Sequence, residues 1–136
     1  MNFKMVFSVC LVLLFVFVLS ACGSENDKPA ELSLKEAKKF ATGFLYVRSP
    51  FESRKEAEDF NIKEIERVAK ANNMDLYIYR ATDDTSKLGL KQNSLTCAFY
   101  QNGEVKEKLD FIDLSVDDIP SEVEKFVQSV QQDFLK

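Results

Sequence analysis

The 136-residue chain opens on an apolar run and then becomes amphipathic. Met1 to Lys4 carries one positive charge, and Met5 to Leu19 is almost unbroken hydrocarbon. From Ser33 onward the apolar residues recur at helical or at alternate spacing, and each change of period marks an element. Ser33-Leu34-Lys35-Glu36 has the spacing of a capping box. Leu34, Ala37, Ala41 and Phe44 then recur at helical intervals, which predicts a helix over 34–43. Phe44 to Val47 is a compact apolar run suited to a buried strand. Pro50 pushes Ser49 out of helical geometry, and Ser53 to Glu56 forms a second capping-box pattern. A long helix is predicted over 54–72, with Ala57, Phe60, Ile65, Val68 and Ala69 on its inner face. The uneven step between Phe60 and Ile65 predicts a kink or a shift of face. Asn72-Asn73 suits its end, because Asn tolerates left-handed backbone.

Leu76 to Tyr79 predicts a strand over 75–81. Thr82 to Asp84 turns the chain, Leu88 and Leu90 suggest one helical turn, and Gln92 to Ser94 is a loop. Leu95 to Tyr100 is strand-like, and Asn102-Gly103 is a preferred two-residue hairpin turn. Val105, Leu109 and Phe111 alternate with charges, giving a hairpin over 95–111. Lys106, Lys108 and Asp110 mark its second strand as an edge guarded against pairing with other chains. Ser115 to Pro120 connects to a third capping-box pattern, Ser121 to Glu124. The stripe Val123, Phe126, Val127, Val130 and Phe134 faces inward on a closing helix.

The first 21 residues have the basic start, short apolar core and small closing residues of an export signal. The apolar run is short for a bilayer-spanning helix, which needs about 20 residues. Leu19-Ser20-Ala21-Cys22 resembles the lipobox of bacterial lipoprotein signals. The resemblance implies cleavage before Cys22 and acylation of its sulfur, with membrane lipid as the first partner. An uncleaved anchor helix with an incidental Cys22 is the alternative, and it leaves the domain on the same side of the membrane. Residues 1–21 are thus read as signal peptide, 22–32 as a lipidated tether and 33–136 as the domain, held at the extracytoplasmic face of the cell membrane.

Composition narrows the chemistry. A leader with one lysine and no acid leaves 17 basic against 22 acidic side chains. An acidic chain without a basic cluster is a poor ligand for nucleic acid. Cys10 leaves with the leader and Cys22 carries lipid, so Cys97 has no internal disulfide partner. The chain has no His, which removes the Ser-His and Cys-His nucleophile pairs. No glycine-rich phosphate loop is present. Nothing implies a cofactor or a metal. The pairs Asp83-Asp84 and Asp117-Asp118 lack the spacing of a calcium loop and read as solvated turns or caps.

The order helix, strand, helix, strand, short helix, strand, strand, helix resembles the thioredoxin fold over residues 34–132. Leu95 to Lys108 reads much like the end of a thioredoxin, and Leu34 to Lys55 is similar to the approach to the redox motif in bacteriocin-transport accessory proteins. The resemblance implies an α/β domain: a mixed sheet of about four strands flanked by helices, with a C-terminal β-hairpin plus helix. Another small α/β layering is the alternative. The family's Cys-x-x-Cys falls at Pro50-Phe51-Glu52-Ser53, where no cysteine stands, and its cis-proline is missing near Ser94-Leu95. Exchange chemistry needs an attacking thiolate, so the resemblance points to a redox-inactive domain. Its expected role is to bind an envelope protein or peptide. The surface would be Arg48, Ser49, Pro50, Phe51 and Glu52 with Gln92, Asn93 and Ser94. Phe51 is the aromatic expected to be exposed, and Cys97 reads as a small buried hydrophobe. The alternatives are a monothiol oxidoreductase using Cys97, or a small-ligand-binding lipoprotein.

Overall fold

The computed structural model describes residues 28–81 and 94–136. The predicted turn at 82–84, the helical turn around Leu88 and Leu90, and residues 1–27 lie outside the described residues, as do Gln92 and Asn93. Five strands form one mixed sheet. They are β1 (Ala30–Leu32), β2 (Gly43–Arg48), β3 (Leu76–Arg80), β4 (Thr96–Gln101) and β5 (Glu104–Asp110). The helices are α1 (Leu34–Lys38), α2 (Lys55–Ala71) and α3 (Ile119–Phe134), and a 3₁₀ turn at Glu52–Arg54 leads into α2.

The sheet order is β1-β3-β2-β4-β5. Strands β1 and β2 both run parallel to β3, whereas β4 is antiparallel to β2 and to β5. The two parallel crossovers are therefore β1–α1–β2 and β2–α2–β3. With the antiparallel hairpin β4–β5 and the closing α3, this is the thioredoxin-like arrangement. The first crossover depends on β1, which hydrophobic patterning does not reveal. Ala30, Glu31 and Leu32, assigned to the tether, are an exposed to half-buried edge strand that pairs with Tyr77, Ile78 and Tyr79. The sheet has five strands rather than about four for this reason.

Side chains alternate across β2, so one strand feeds two cores. Phe44 and Tyr46 face α2 and α3, in a cluster with Ile65, Phe99, Phe126 and Val127. Leu45 and Val47 face the side of α1, with Ala37, Tyr79 and Tyr100. Phe40 closes that second cluster with edge contacts to Tyr77 and Tyr100, ring centroids 5.1 and 5.7 Å away. That docking shortens the first helix, which stops at Lys38 instead of 43. Gly43 then turns into β2 at φ +133°, and a Cβ there would approach Phe40 Cζ to 3.2 Å.

The hairpin turn is as its sequence predicts: Asn102 and Gly103 both have positive φ, +52° and +79°. Its tip docks on the loop before β2 through Gly103 N–H to the Ala41 carbonyl, 2.9 Å. A bulge opposite Phe99 and Tyr100 interrupts the alternation along β5. Val105 consequently joins the α1 side, while Leu109 joins the α2–α3 side. Strand β5 lies at the sheet edge, where Lys106 pairs with Glu104 and Lys108 with Asp110.

Only the first of the three capping-box patterns forms. Ser33 N–H donates to Glu36 Oε2 at 2.7 Å, and Glu36 N–H donates to Ser33 Oγ at 3.3 Å. Helix α2 is entered through the 3₁₀ turn, and its N-cap position, Arg54, makes no side-chain cap. Helix α3 starts at Ile119, earlier than its Ser121 pattern suggests, because Pro120 fits the first turn. Ser121 Oγ donates back to the Asp118 carbonyl instead. Helix α2 is continuous where a kink or a shift of face was expected between Phe60 and Ile65. Its inner face near the N-terminus is polar: Glu58 and Asn61 are buried, Ala57 is exposed and Phe60 only half-buried.

Candidate functional site

The site is built where β2 ends and α2 begins. Arg48, the last residue of β2, reaches across the turn to Asp59 and to the Lys55 carbonyl. Ser49 is buried, and its N–H donates to Glu58 Oε1 at 2.7 Å. Ser49 Oγ accepts the Phe51 N–H at 3.2 Å and so tightens the turn around Pro50. Arg48 and Ser49, expected on the binding surface, are thus spent on holding the turn together. Pro50, Phe51 and Glu52 are exposed, Phe51 by 63%, and the Arg54 guanidinium lies 6.0 Å from the Phe51 ring centroid.

Ser94 and Leu95 meet this turn at the same end of the sheet. Leu95 N–H donates to the Val47 carbonyl at 2.9 Å, and the Leu95 carbonyl accepts from Phe111 N–H at 2.8 Å. Leu95 has φ +58°. Left-handed backbone costs an ordinary L-residue about 1–2 kcal/mol, and the two hydrogen bonds hold it there. All described peptide bonds are trans, Ser94-Leu95 among them. Ser94 is half-buried.

Between the start of α2 and the segment that follows β5 lies an open groove of about 630 Å³. Phe60, Leu95, Phe111, Ile112, Leu114 and Val116 supply apolar walls, and Ser53, Arg54 and Glu56 lie along its polar margin. Ile112 and Val116 are 53% and 64% exposed. With Phe51 beside Arg54, these form an apolar surface at one end of the molecule. Sequence reasoning found Phe51 but missed Ile112, Leu114 and Val116, which sit in a short irregular stretch with no periodicity.

Beneath the groove is a buried polar chain. Asn61 lines the groove yet is only 4% exposed, and its Nδ2 donates to Tyr46 Oη at 3.3 Å. Tyr46 Oη donates to Glu58 Oε1 at 3.4 Å. Glu58 and Tyr46 are fully buried, and Glu58 Oε2 has no hydrogen-bond partner. Burial pushes the Glu58 carboxyl above its ordinary range, against the opposing pull of the Ser49 N–H, Arg48, Tyr46 and Arg54. Burial likewise raises the Tyr46 phenol.

Cys97 stands opposite Tyr46 on β4 and is fully buried. Burial pushes its thiol far up, away from thiolate. Among the described residues no three acidic or thiol side chains converge to hold a metal ion. Asp118 accepts from Ser115 Oγ at 2.6 Å in the turn before α3; Asp83 and Asp84 lie outside the described residues. No helix among the described residues is long and apolar enough to cross a membrane.

Comparison with known proteins adds little to this geometry. No family model matches the chain, and no curated protein matches it. Among solved structures it is similar to a protein described as "a putative oxidoreductase with a thioredoxin fold". The two share 16% identity over 71% of this chain and 93% of the other, with a TM-score of 0.49. At that level the likeness carries nothing about activity. The strand order and the direction of each pairing are what make the fold thioredoxin-like.

Proposed function

We propose that this chain is a lipid-anchored, extracytoplasmic accessory protein that binds a polypeptide at the groove and carries out no thiol chemistry. The observation that supports it most is a pairing at one end of the sheet. An open apolar surface, Phe51 with Ile112 and Val116, occupies the end where the fold's redox relatives keep their cysteines, while Cys97 is sealed inside β4. Exposed apolar clusters mark contact sites on small domains. A buried thiol with a raised pKa is a poor nucleophile.

In this reading Cys22 carries the acyl group, and residues 22–29 link it to β1. Eight residues span at most about 29 Å. Strand β2 runs in the same direction as β1, each being parallel to β3, so the groove lies at the end of the sheet opposite the one where the chain enters β1, and in this reading it is the end turned from the lipid. The occupant is then a protein approaching from outside the membrane plane.

The test combines anchoring, capture and chemistry. Mass spectrometry of the protein extracted from membranes is expected to find it beginning at an acylated Cys22. A photo-crosslinking phenylalanine at position 51 is expected to give one discrete adduct in native membranes, abolished by Ile112→Asp with Val116→Asp. Purified protein is expected to leave dithiol substrates unturned. An unmodified Cys22 sinks the anchor, a crosslink indifferent to the paired substitutions sinks the groove, and dithiol turnover sinks the non-catalytic reading.

A further inference from the structure

The groove has apolar walls and a margin of Ser53, Arg54 and Glu56, and the one buried polar side chain in its lining, Asn61, determines what it would select. We infer that the groove is built to take a tyrosine side chain from the bound polypeptide, with Asn61 as the group that recognises the phenol. The inference rests on the polypeptide-binding reading above and names the chemistry of the occupant.

Asn61 is fixed from behind. Tyr46 Oη has one proton, which it gives to Glu58 Oε1, so towards Asn61 it can only accept. The amide nitrogen of Asn61 therefore points at Tyr46, 3.3 Å away. Glu58 is itself anchored by the Ser49 N–H at 2.7 Å, so Glu58 Oε1 is the common acceptor, taking Ser49 N–H from one side and Tyr46 Oη, backed by Asn61 Nδ2, from the other. What remains on Asn61 is Oδ1, an acceptor that takes no hydrogen bond from any described residue. The side chain carrying it is 4% exposed and lines the groove. The buried unpaired side-chain atoms among the described residues are Glu58 Oε2 and Tyr79 Oη, so Asn61 Oδ1 is within reach of water, and an apolar group that displaced that water would leave it unpaired.

The complementary group is a donor on an apolar body. Phe60, Leu95, Phe111 and Leu114 line the groove around Asn61 and would contact a ring. A phenylalanine would fill the space and leave Oδ1 unpaired, and a charged side chain would lose its hydration in the same walls. The groove is open to solvent, so a free phenol would be covered on one side only, whereas small-molecule sites bury most of their ligand. A polypeptide brings flanking residues to cover Ile112 and Val116 at the rim, which are more than half exposed.

The experiment uses the full chain in lipid nanodiscs, with labelled Ile, Leu and Val methyls and Asn side-chain amides followed by NMR. The probes are acetylated, amidated pentapeptides Ala-Ala-X-Ala-Ala, in which X is tyrosine, phenylalanine or O-methyltyrosine, together with p-cresol. The tyrosine peptide is expected to shift the Asn61 amide and the Ile112, Leu114 and Val116 methyls. It should bind roughly five-fold tighter than the other two peptides, the size expected of one net hydrogen bond. Asn61→Leu is expected to bring the tyrosine peptide down to the phenylalanine level and leave the phenylalanine peptide unchanged. Equal binding of the three peptides to the unsubstituted protein would overturn the tyrosine preference and leave the groove reading standing. Absence of groove shifts with every probe would overturn both. Binding of p-cresol as tight as that of the tyrosine peptide would overturn the polypeptide occupant in favour of a small phenol.

Discussion

Phe44 and Tyr46 are two residues apart on β2, point to the same face and are both fully buried, yet they stand in opposite surroundings. Phe44 is packed among rings, with Phe99 and Phe126 centroids each 5.4 Å away. Tyr46 has one ring neighbour, Phe111 at 5.8 Å, and otherwise faces Glu58 and Asn61. One end of the core is hydrocarbon throughout. The other end contains a carboxyl with an oxygen that no hydrogen bond satisfies. A core built for stability alone would continue the first pattern, since each unsatisfied buried polar atom costs about 1–3 kcal/mol. The polar end lies under the groove and the turn before α2, so its cost falls where the molecule presents its contact surface.

The comparison fails if both ends respond alike to truncation. Phe44→Ala is expected to cost about 3–5 kcal/mol, because a ring is removed from a packed cluster and the cavity collapses only in part. Tyr46→Phe keeps the ring and removes one hydroxyl. It leaves Asn61 Nδ2 without its acceptor and Glu58 Oε1 with the Ser49 N–H alone. The expected loss is smaller, about 1–3 kcal/mol. Urea denaturation of both variants measures the difference. A Tyr46→Phe loss as large as that of Phe44→Ala would mean that the polar end bears as much of the fold as the apolar one.

A pH series sharpens the same contrast. The folded carboxyl of Glu58 is raised by burial, so the folded state holds this proton more tightly than the unfolded chain does. Its contribution to stability is full below the unfolded value of about 4.5 and is lost as pH rises through the folded value. Thermal denaturation from pH 4.5 upward should therefore show a decline attributable to this residue. Glu58→Gln is expected to flatten that decline. An unchanged slope in the variant would place the proton elsewhere.

The two ends also differ in how readily the sequence discloses them. The strand Phe44 to Val47, the long helix and the Asn102-Gly103 turn are legible because apolar periodicity and left-handed turn chemistry are local properties. The stripe Ile65, Val68 and Ala69 continues toward the N-terminus as Ile62, Asn61 and Glu58. Hydrophobic patterning cannot follow it there, because it counts a buried Asn or Glu as solvent-facing. That substitution of polar for apolar is what suggested a kink or a shift of face after Phe60, and it hid the site: the buried face continues through Glu58, Asn61 and Ile62 in one uninterrupted helix. Strand β1 was hidden for a related reason: Ala30, Glu31 and Leu32 are too few to show a period, and only their pairing with β3 makes them a strand. Phe51 was legible from its place after Pro50, whereas Arg48 and Ser49 are taken inward by Asp59 and Glu58, partners eleven and nine residues along the chain.

The smallest expected effect on the fold falls at Phe51, and it separates surface from core most cleanly. The ring is 63% exposed, and its only described ring interaction is with the Arg54 guanidinium, 6.0 Å from its centroid. An exposed side chain free of packing or capping duties shifts stability by less than about 0.5 kcal/mol when replaced. Phe51→Ser should therefore leave the denaturation midpoint unmoved. It should weaken the tyrosine pentapeptide only slightly, because the ring stands beside the groove instead of lining it. Capture of a whole partner is expected to fall further, since a protein covering the groove also buries Phe51, and well-packed aromatic contacts dominate such interfaces. A crosslinking residue at position 112 reads this directly in native membranes: the adduct should diminish in the Phe51→Ser protein. Undiminished capture would confine the contact surface to the groove itself, and a loss of stability would show that the turn, not the surface, is what Phe51 serves.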